Sequence, residues 1–389
     1  MDENRIRVLF IASDNTKTSG AFRSMTSLIK ILQRKYRAEC LVVLPWHGDG
    51  EDLLKENSIN YIHVQSYPWI IGLDASLYEK AKIPAKKIIN SIAVKQIKKV
   101  CKSFQPTIVH INTTWSYVGA IAAYQLHIPC VWHLRELLEE GENCRIWNRE
   151  KGYSVISKAD KIIAISEAVR NKYIEILPPQ KLFMIYNGID VDRFYCANRE
   201  LFLDNPIKFL CVGGLHPGKD QRIIINACKL LYDKGYKDFR LDIVGIGPEE
   251  ERLKELTDRN GLSQIVNFRG YSNTPEQFYK NADIVFMVSK AEAFGRVTVE
   301  AMLSGAFVIG SDSGATTELI KNGVNGFLYQ PGSEKSLCEA IVTAITHQQE
   351  TREMARKAQE KARSVFTAEN NAQQVYEVYQ EILGESVRT

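Results

Sequence analysis

The feature that most constrains the fold is a regular alternation of short apolar runs with stretches of helical periodicity. In the first half of the chain the runs are IRVLFIAS, CLVVLP, TIVHIN, CVWHL, KIIAIS and LFMIY. Beyond about residue 205 the alternation starts again with KFLCVGG, FRLDIVG, IVNFRG, ADIVFMVS and AFVIGS. Strands that alternate with helices form parallel sheets with helices on both faces. The pattern therefore predicts an α/β protein with two doubly wound, Rossmann-like parallel sheets.

The length of the chain agrees with two domains, because 389 residues are many for a single hydrophobic core. The turn-rich stretch NGIDVDRFYCANRELFLDNP is the predicted linker. We therefore place one domain at 1–195 and a second at 196–365. The segment FTAENNAQQVYEVYQEILG is predicted to form a further helix, with Thr367 as its N-cap.

The composition excludes several classes of protein. With 45% hydrophobic and 25% charged residues, the chain has the composition of an ordinary globular protein. The polar start MDENRIRVLFIAS leads directly into a strand, and no apolar run is long, so we expect neither a signal peptide nor a membrane span. The eight cysteines include no CxxC pair. This favours a reducing, cytoplasmic compartment and argues against structural zinc.

Positive charge is concentrated in the first half of the chain. The net charge of +4 divides into +7 for residues 1–195 (27 Lys+Arg, 20 Asp+Glu) and −3 for residues 196–389 (23 and 26). Segment 80–102 holds eight lysines and no acid. Its helical spacing of apolar residues predicts one amphipathic basic helix. This helix is either a solvated surface helix or one that contacts anionic lipid headgroups. The apolar positions are Ile88, Ile89, Ile92, Ile97, Val100 and Cys101.

Parallel sheets bind ligands beyond the carboxyl ends of their strands, so the turns that follow strands are candidate sites. In SDNTKTSGAFRS, Gly20 permits close approach of an anion to a helix N-terminus. This turn is not GxGxxG and no acidic residue ends the second strand, so a nicotinamide cofactor is not favoured. In CVWHLRE, His133 and Arg135 emerge at a strand end, where the histidine is either structural or functional. In CVGGLHPGKD, Lys219 either binds a phosphate or is an exposed turn residue.

The stretch SKAEAFGRVTVEAMLSG contains two glutamates around a Phe-Gly step. Its spacing predicts a helix over 296–303, so that Phe294, Gly295 and Arg296 present N-terminal N–H groups to a diphosphate. Glu292 then lies in the loop before the helix, and Glu300 lies one turn inside it. Because carboxylates accept hydrogen bonds from hydroxyls, we expect Glu292 to hold a sugar and Glu300 a ribose.

At these residues the chain resembles the retaining glycosyltransferases of family four, which have the GT-B fold. EAFGRVTVE and its continuation AMLSGAFVIGSDSGATTELIKNGVNGFLY are similar to the E-x7-E signature of that family. The segments ADKIIAISEAV, MIYNGIDVDRF, VGGLHPGKD, VGIGPEEERLKEL and VNFRGY recur in the same order. The resemblance covers nearly the whole chain. It implies two Rossmann-like domains that face each other across a cleft, with 366–389 forming a helix that crosses back to the first domain.

The resemblance also implies roles for single residues. His133, Lys219 and Glu292 would be catalytic, with Lys219 neutralising the leaving diphosphate. Many family members carry arginine where this chain has Gly214, so either Arg296 is the second cation or the diphosphate is held less tightly. The residues implied in binding the donor are Gly20, Gly213, Gly214, Lys219, Gly270, Tyr271, Phe294, Gly295, Arg296 and Glu300.

The function implied by the resemblance is that of a retaining hexosyltransferase. It would move a sugar from UDP or GDP to a saccharide or lipid-linked acceptor, in cell-surface polysaccharide or glycolipid synthesis. We expect no cofactor and no metal ion, because Asp190 and Asp192 belong to the NGIDVDRF turn rather than to a metal-bridging D-x-D motif. A nucleotide-sugar epimerase or phosphorylase, or a non-catalytic partner subunit, are the alternatives. We expect a cytoplasmic location, at the inner face of the membrane if 80–102 contacts anionic lipid, and no nucleic-acid partner.

Overall fold

The chain forms two compact units in a computed structural model that describes residues 5–384. Of the described residues, those up to Gly188 and those from Ala368 onward form the first unit, and Ile189–Thr367 form the second. The chain therefore leaves the first unit within the predicted linker stretch and returns to it after Thr367.

The first unit is built on one large parallel sheet. Its strands are β1 (Arg7–Ile11), β2 (Glu39–Leu44), β3 (Asn60–His63), β4 (Ile70–Gly72), β5 (Ile108–Ile111), β6 (Cys130–Leu134), β7 (Cys144–Ile146), β8 (Lys161–Ala164) and β9 (Leu182–Met184). Seven of them pair in the order β3-β2-β1-β5-β6-β8-β9, and β4 pairs with β7 in a small antiparallel sheet. The helices are α1 (Gly20–Tyr36), α2 (Gly50–Glu56), α3 (Leu77–Ala81), α4 (Ile83–Phe104), α5 (Val118–Leu126), α6 (Leu138–Glu142), α7 (Arg149–Ile156) and α8 (Glu167–Tyr173).

The second unit has a six-stranded parallel sheet in the order β12-β11-β10-β13-β14-β15. Its strands are β10 (Ile207–Val212), β11 (Phe239–Val244), β12 (Val266–Gly270), β13 (Ile284–Met287), β14 (Phe307–Ser311) and β15 (Phe327–Tyr329). Its helices are α9 (Val191–Phe194), α10 (Arg222–Asp233), α11 (Glu250–Arg259), α12 (Glu276–Asn281), α13 (Arg296–Leu303), α14 (Thr316–Leu319), α15 (Glu334–Thr346) and α16 (Gln348–Val365). Two doubly wound parallel sheets are thus confirmed, and α13 spans the predicted residues 296–303.

Each unit has its own apolar core on its sheet. Central strands such as β6 and β13 are buried at every position, as expected for parallel strands covered on both faces. The last described helix, α17 (Ala368–Ile382), contributes Ala372, Val375, Val378 and Tyr379 to the core of the first unit. It packs along α1, where the rings of Tyr36 and Tyr376 stack with centroids 4.1 Å apart.

The basic segment differs from its prediction in two ways. It forms two helices, α3 and α4, because the chain turns at Lys82 and α4 begins with Pro84 in its first turn. The buried face is also rotated, since Ile88 is 65% and Ile92 is 51% exposed whereas Asn90 is buried. The Asn90 amide accepts from Tyr67 N at 2.8 Å and donates to Tyr67 O at 2.9 Å. This reciprocal pair satisfies the buried amide and fixes which face of α4 turns inward.

Two further sequence predictions concern the cysteines and the membrane. All eight cysteines carry free thiols, and all but Cys196 are buried. Within residues 5–384, no helix has the length and apolarity needed to cross a bilayer.

Candidate active site

Glycines line the carboxyl ends of three neighbouring strands in the second unit. Gly213 follows β10 with φ 146°, and Gly245 follows β11 with φ 151°. A Cβ on Gly245 would lie 1.9 Å from Gly213 O, so these turns approach each other through bare backbone. Gly245 N donates to Gly270 O at 2.8 Å, and the neighbouring Tyr271 is 36% exposed. Together with Gly214, the structure thus brings four predicted residues to one edge of the sheet.

Lys219 and Glu292 form an ion pair at this edge. Lys219 ends a short 3₁₀ helix, Pro217–Lys219, and its Nζ lies 2.8 Å from Glu292 Oε2. The backbone joins the same two loops, since Lys290 N donates to Gly218 O at 3.0 Å. Burial opposes ionisation of Glu292, but the Lys219 cation acts together with hydrogen bonds from Lys219, Ser289 and the Gly295 backbone to lower the pKa of the carboxyl. Two residues predicted from separate motifs therefore share one charge-paired turn.

Helix α13 begins beside this pair. Its N-cap is Gly295, with φ 89°, which has no side chain of its own to cap the helix. The Glu292 carboxylate accepts a hydrogen bond from the Gly295 backbone. Thr298 Oγ1, in the first turn, is buried and has no hydrogen-bond partner in the part of the chain that the structure describes. Phe294 is buried with its ring 6.0 Å from that of Phe366, so its side chain serves packing and only its backbone borders the turn. The α13 N-terminus thus combines a positive dipole end with an unused hydroxyl.

Glu300 lies inside α13, as predicted, and is largely buried. The Tyr279 hydroxyl donates to Glu300 Oε2 at 2.9 Å, and the Arg296 guanidinium lies 3.5 Å from Glu300 Oε1. Burial and the Glu300 charge raise the pKa of Tyr279 well above its ordinary value, which keeps the phenol protonated as a donor. Arg296, one of the two alternatives for the arginine missing at Gly214, thus lies beside Glu300.

In the first unit, Gly20 is the first residue of α1, whose N-cap is Ser19. Ser19 Oγ accepts from Phe22 N at 3.3 Å and donates to Asp14 Oδ2 at 3.2 Å. Asp14 is thus a carboxylate beside the turn predicted to meet a diphosphate, and burial raises its pKa. A carboxyl group therefore lies beside the helix N-terminus at which the sequence predicted that an anion could approach Gly20.

His133 is part of a buried chain of hydrogen bonds. Tyr379 OH lies 2.7 Å from His110 Nδ1, and His110 Nε2 lies 3.2 Å from His133 Nδ1. An Arg135 guanidinium nitrogen lies 3.3 Å from the same His133 Nδ1. Among residues 5–384, His133 Nε2 is buried and has no hydrogen-bond partner. Burial, and next the Arg135 cation, hold the pKa of both imidazoles well below the ordinary value, so both rings are neutral.

The sequence reasoning missed three participants in these clusters. His110 had a signal, because it is a polar residue inside the apolar strand TIVHIN. Glu136 follows Arg135 and accepts from Thr114 N at 3.0 Å and Thr114 Oγ1 at 2.7 Å, while burial raises its pKa to about 7. Tyr379 had no sequence signal. Asp190, for which the sequence predicts no role as a metal ligand, is the N-cap of α9. Its side chain accepts a hydrogen bond from Arg193 N at 3.3 Å.

The comparisons with known proteins agree with this geometry. A family model described as glycosyl transferases group 1 matches residues 197–364, and one described as glycosyltransferase family 4 matches residues 19–193. An uncharacterised glycosyltransferase of Methanocaldococcus jannaschii is 27% identical over 308 residues, which cover 74% of this chain and 73% of that protein. The Staphylococcus aureus capsular polysaccharide biosynthesis glycosyltransferase CapM is 24% identical over 242 residues, covering 59% and 63%.

Among solved structures, Anabaena HepE in complex with UDP and glucose superposes with a TM-score of 0.78 at 26% identity, covering 97% of this chain and all of that chain. The two parallel-sheet units and these neighbours define a glycosyltransferase of the GT-B class. Because the two family models together span residues 19–193 and 197–364, the chain belongs to glycosyltransferase family four.

Proposed function

We propose that this chain is a retaining hexosyltransferase that uses a UDP-sugar donor and no metal ion. The Lys219–Glu292 pair at the N-terminus of α13 carries the proposal, because it joins a cation for the leaving diphosphate to a carboxylate for sugar hydroxyls. HepE, which has the same fold, is bound to UDP and glucose. CapM, which acts in capsular polysaccharide synthesis, supports a saccharide or lipid-linked acceptor.

The proposed reaction takes place on one face of the sugar. The bond between C1 and the diphosphate oxygen breaks as the acceptor oxygen bonds to C1, and a leaving-phosphate oxygen takes the acceptor proton. Lys219 and the N-terminal N–H groups of α13 stabilise the charge that develops on the diphosphate. Glu292 orients the sugar, Glu300 and Tyr279 hold the ribose, and Gly270 and Tyr271 border the base. By the family resemblance, His133 contacts the transferred sugar.

The test is protection against thermal unfolding across UDP-, GDP- and ADP-sugars, followed by turnover assays with the best ligand. We expect one UDP-sugar to stabilise the chain and Glu300→Ala to abolish that shift. Turnover that persists after treatment with a chelator supports metal independence, and an α-anomeric product from an α-linked donor supports retention. Stabilisation by no nucleotide sugar would favour a non-catalytic partner subunit. Turnover without an acceptor would favour an epimerase.

A second part of the proposal places the protein at the cytoplasmic face of an anionic membrane. Four apolar side chains on α3 and α4 are exposed among the lysines: Leu77, Tyr78, Ile88 and Ile92. Lysines beside exposed apolar side chains match a surface of acidic headgroups over acyl chains. Lys82 Nζ lies 3.9 Å from the centroid of the Tyr78 ring, so charge and apolar surface are contiguous here.

Flotation with phosphatidylglycerol vesicles at low salt tests this membrane contact. We expect recovery of the wild-type chain and loss of recovery in Ile88→Ser with Ile92→Ser. Leu203→Ser, at a residue 69% exposed on the second unit, is the control and should float like the wild type. Equal flotation of both variants, or none of the wild type, would remove the membrane proposal.

A further inference from the structure

Two histidines and a glutamate converge at one edge of the first unit. His47 lies in the loop after β2, Glu51 in the first turn of α2, and His63 at the end of β3. Their ligating atoms all lie within 4.8 Å of one another. His47 Nδ1 is 3.2 Å and His63 Nε2 is 3.0 Å from the same oxygen, Glu51 Oε1.

These separations suit a tetrahedral metal site. Zinc bonds to imidazole nitrogen and carboxylate oxygen of about 2.0–2.1 Å place neighbouring ligand atoms about 3.3 Å apart. Two imidazoles and one carboxylate are a known donor set of open zinc sites, in which water is the fourth ligand. The His47 side chain is 82% exposed, so an ion and water can reach the three atoms.

The surroundings orient the carboxylate and favour a cation. Tyr61 OH donates to Glu51 Oε2 at 3.1 Å, which directs the other oxygen, Oε1, towards the two imidazoles. Residues 47–56 contain four acidic side chains and one lysine. The local field therefore attracts a positive ion.

We propose that His47, Glu51 and His63 bind a divalent transition-metal ion of the zinc class, with water as the fourth ligand. The ion would link the loop after β2, α2 and β3. Asn15 Nδ2 lies 3.4 Å from Glu51 Oε1, and Lys17 N donates to Asp49 Oδ1 at 2.8 Å. The site therefore supports the loop between β1 and α1, and it takes no part in sugar transfer.

The test uses the full chain, freed of metal by chelator, and titrates it with Co²⁺ and with Zn²⁺. We expect one equivalent of Co²⁺ to give the visible absorption of a tetrahedral ion, and Zn²⁺ to raise the unfolding temperature. His47→Ala and His63→Ala should each weaken binding by more than about tenfold. His347→Ala, at an exposed histidine in the second unit, is the matched control and should bind like the wild type.

Because His47 is exposed, its removal does not threaten the fold. Binding that is unchanged in His47→Ala, or absent from the wild-type chain, would overturn the proposal and leave Glu51 as a hydrogen-bonded carboxylate only.

A different observation carries a second inference, which rests on the proposed function of His133. Arginine can only donate, so the His133 Nδ1 that faces the Arg135 guanidinium must accept. The single proton of this neutral ring therefore sits on Nε2. His110 Nε2 must then donate to His133 Nδ1, which leaves His110 Nδ1 to accept from Tyr379 OH. In this assignment the single lone pair of His133 Nδ1 is shared by two donors, His110 Nε2 at 3.2 Å and the Arg135 guanidinium at 3.3 Å.

The geometry points to His110 and Tyr379 as positioning residues that hold His133 in the Nε2-protonated tautomer. The buried Nε2–H, without a partner in the described structure, then donates to an oxygen of the transferred sugar. In this tautomer Nε2 cannot remove a proton from the acceptor. Helix α17 thereby takes part in the site through a single hydroxyl.

Imidazole ¹⁵N spectra of histidine-labelled protein test this assignment, with His133→Gln used to identify the signals. We expect His133 to show a protonated Nε2 and an unprotonated Nδ1. Tyr379→Phe should shift the His110 signals and lower turnover about two- to tenfold, the range of one neutral hydrogen bond. Tyr376→Phe removes a hydroxyl from the same helix and should change neither.

The results of these experiments distinguish the positioning role of His110 and Tyr379 from the proposed contact of His133 with the sugar. A protonated His133 Nδ1, or a Tyr379→Phe variant that matches Tyr376→Phe in spectrum and rate, would overturn the positioning role. A shifted spectrum with unchanged donor affinity and turnover would keep the tautomer assignment and overturn the proposed contact of His133 with the sugar.

Discussion

Lys219 and Glu292 differ in how firmly the protein holds them. The Glu292 side chain is 16% exposed and the Lys219 side chain is 42% exposed, although their charged atoms are 2.8 Å apart. In the proposed reaction, an arriving diphosphate would draw the ammonium group towards itself, while the carboxylate would stay in place for the sugar hydroxyls. The ion pair therefore keeps the Lys219 side chain next to Glu292 while leaving it partly exposed to solvent.

Lys219→Ala should lower turnover by about a hundredfold or more, because it removes the charge that we propose stabilises the leaving diphosphate. Glu292→Ala should lower turnover strongly as well, without unfolding the protein. Lys290→Ala, at an exposed lysine two positions before Glu292, is the control. Steady-state kinetics and circular dichroism of the three variants measure turnover and folding. A wild-type rate in Lys219→Ala would contradict the proposed role of Lys219.

His110 and His133 make stability depend on pH. Their pKa values are lowered in the folded chain, whereas unfolded imidazoles take up protons below pH about 6.5. Their contribution to stability is therefore present above pH about 6.5 and is lost as the pH falls below it. Glu136 acts in the opposite direction, because its folded pKa of about 7 is raised and the folded chain keeps a proton that the unfolded chain releases.

The substitution His110→Leu separates the contribution of a buried histidine to the pH dependence of stability from the contribution of Glu136. Between pH 7.5 and pH 5.5, the free energy of unfolding of His110→Leu should fall by about 1 kcal/mol less than that of the wild type. Urea unfolding at the two pH values measures the difference. If the free energy of unfolding fell by the same amount in the variant and the wild type, the pKa of His110 would not be lowered in the folded chain.

At the level of single residues, sequence reasoning reached those that share a short motif or a strand end. Lys219 and Glu292 were each placed at a turn after a strand, and parallel strands bring such turns to one edge. The bond between Tyr379 and His110 spans 269 positions. No local sequence pattern could predict this hydrogen bond, because it depends on how α17 packs in the first unit.

Among the secondary-structure elements, α13 depends most on one backbone conformation. Gly295 has φ 89°, and an added Cβ would lie 3.2 Å from both Leu319 Cδ1 and Thr298 Oγ1. Gly323 has φ 72° with open space around it. The two glycines share the left-handed conformation but differ in crowding.

Gly295→Ala should therefore destabilise the protein by more than Gly323→Ala, which carries only the left-handed strain of about 1–2 kcal/mol. Gly295→Ala should also weaken binding of the donor nucleotide, since the first turn of α13 must shift. Thermal unfolding with and without UDP shows both effects. Equal losses in the two variants would mean that the α13 turn has room to adjust.

The predicted helices were correct where apolar burial determines which face of the helix turns inward, and wrong where a single polar contact determines that face. The apolar spacing of 296–303 has a single arrangement against its sheet, so its bounds could be predicted. In α4, the Asn90 amide bonds to the Tyr67 backbone and turns the isoleucines Ile88 and Ile92 outward. Hydrophobic periodicity cannot show a face that is chosen by a buried amide.

Across the whole molecule, α17 completes a core built by residues far away in the sequence. Val375 is fully buried in the core of the first unit, whereas its neighbour Gln374 is exposed. Val375→Ala should lower the free energy of unfolding by about 2 kcal/mol, through lost apolar burial and a small cavity. Gln374→Ala should change it by less than about 0.5 kcal/mol. Urea denaturation compares them, and similar values would show that α17 adds little to the core.

The return of the chain at Ala368 also sets an order of events during synthesis. The second unit is one continuous segment, Ile189–Thr367, and all of it leaves the ribosome before α17 does. The first unit begins to emerge earlier, yet it cannot close its core until Ala372, Val375 and Tyr379 have been translated. Domains often fold in the order in which they are made. Here the half made first is completed last, so a chain that ends at Thr367 and has been released from the ribosome should carry a folded second unit and an exposed apolar groove along α1.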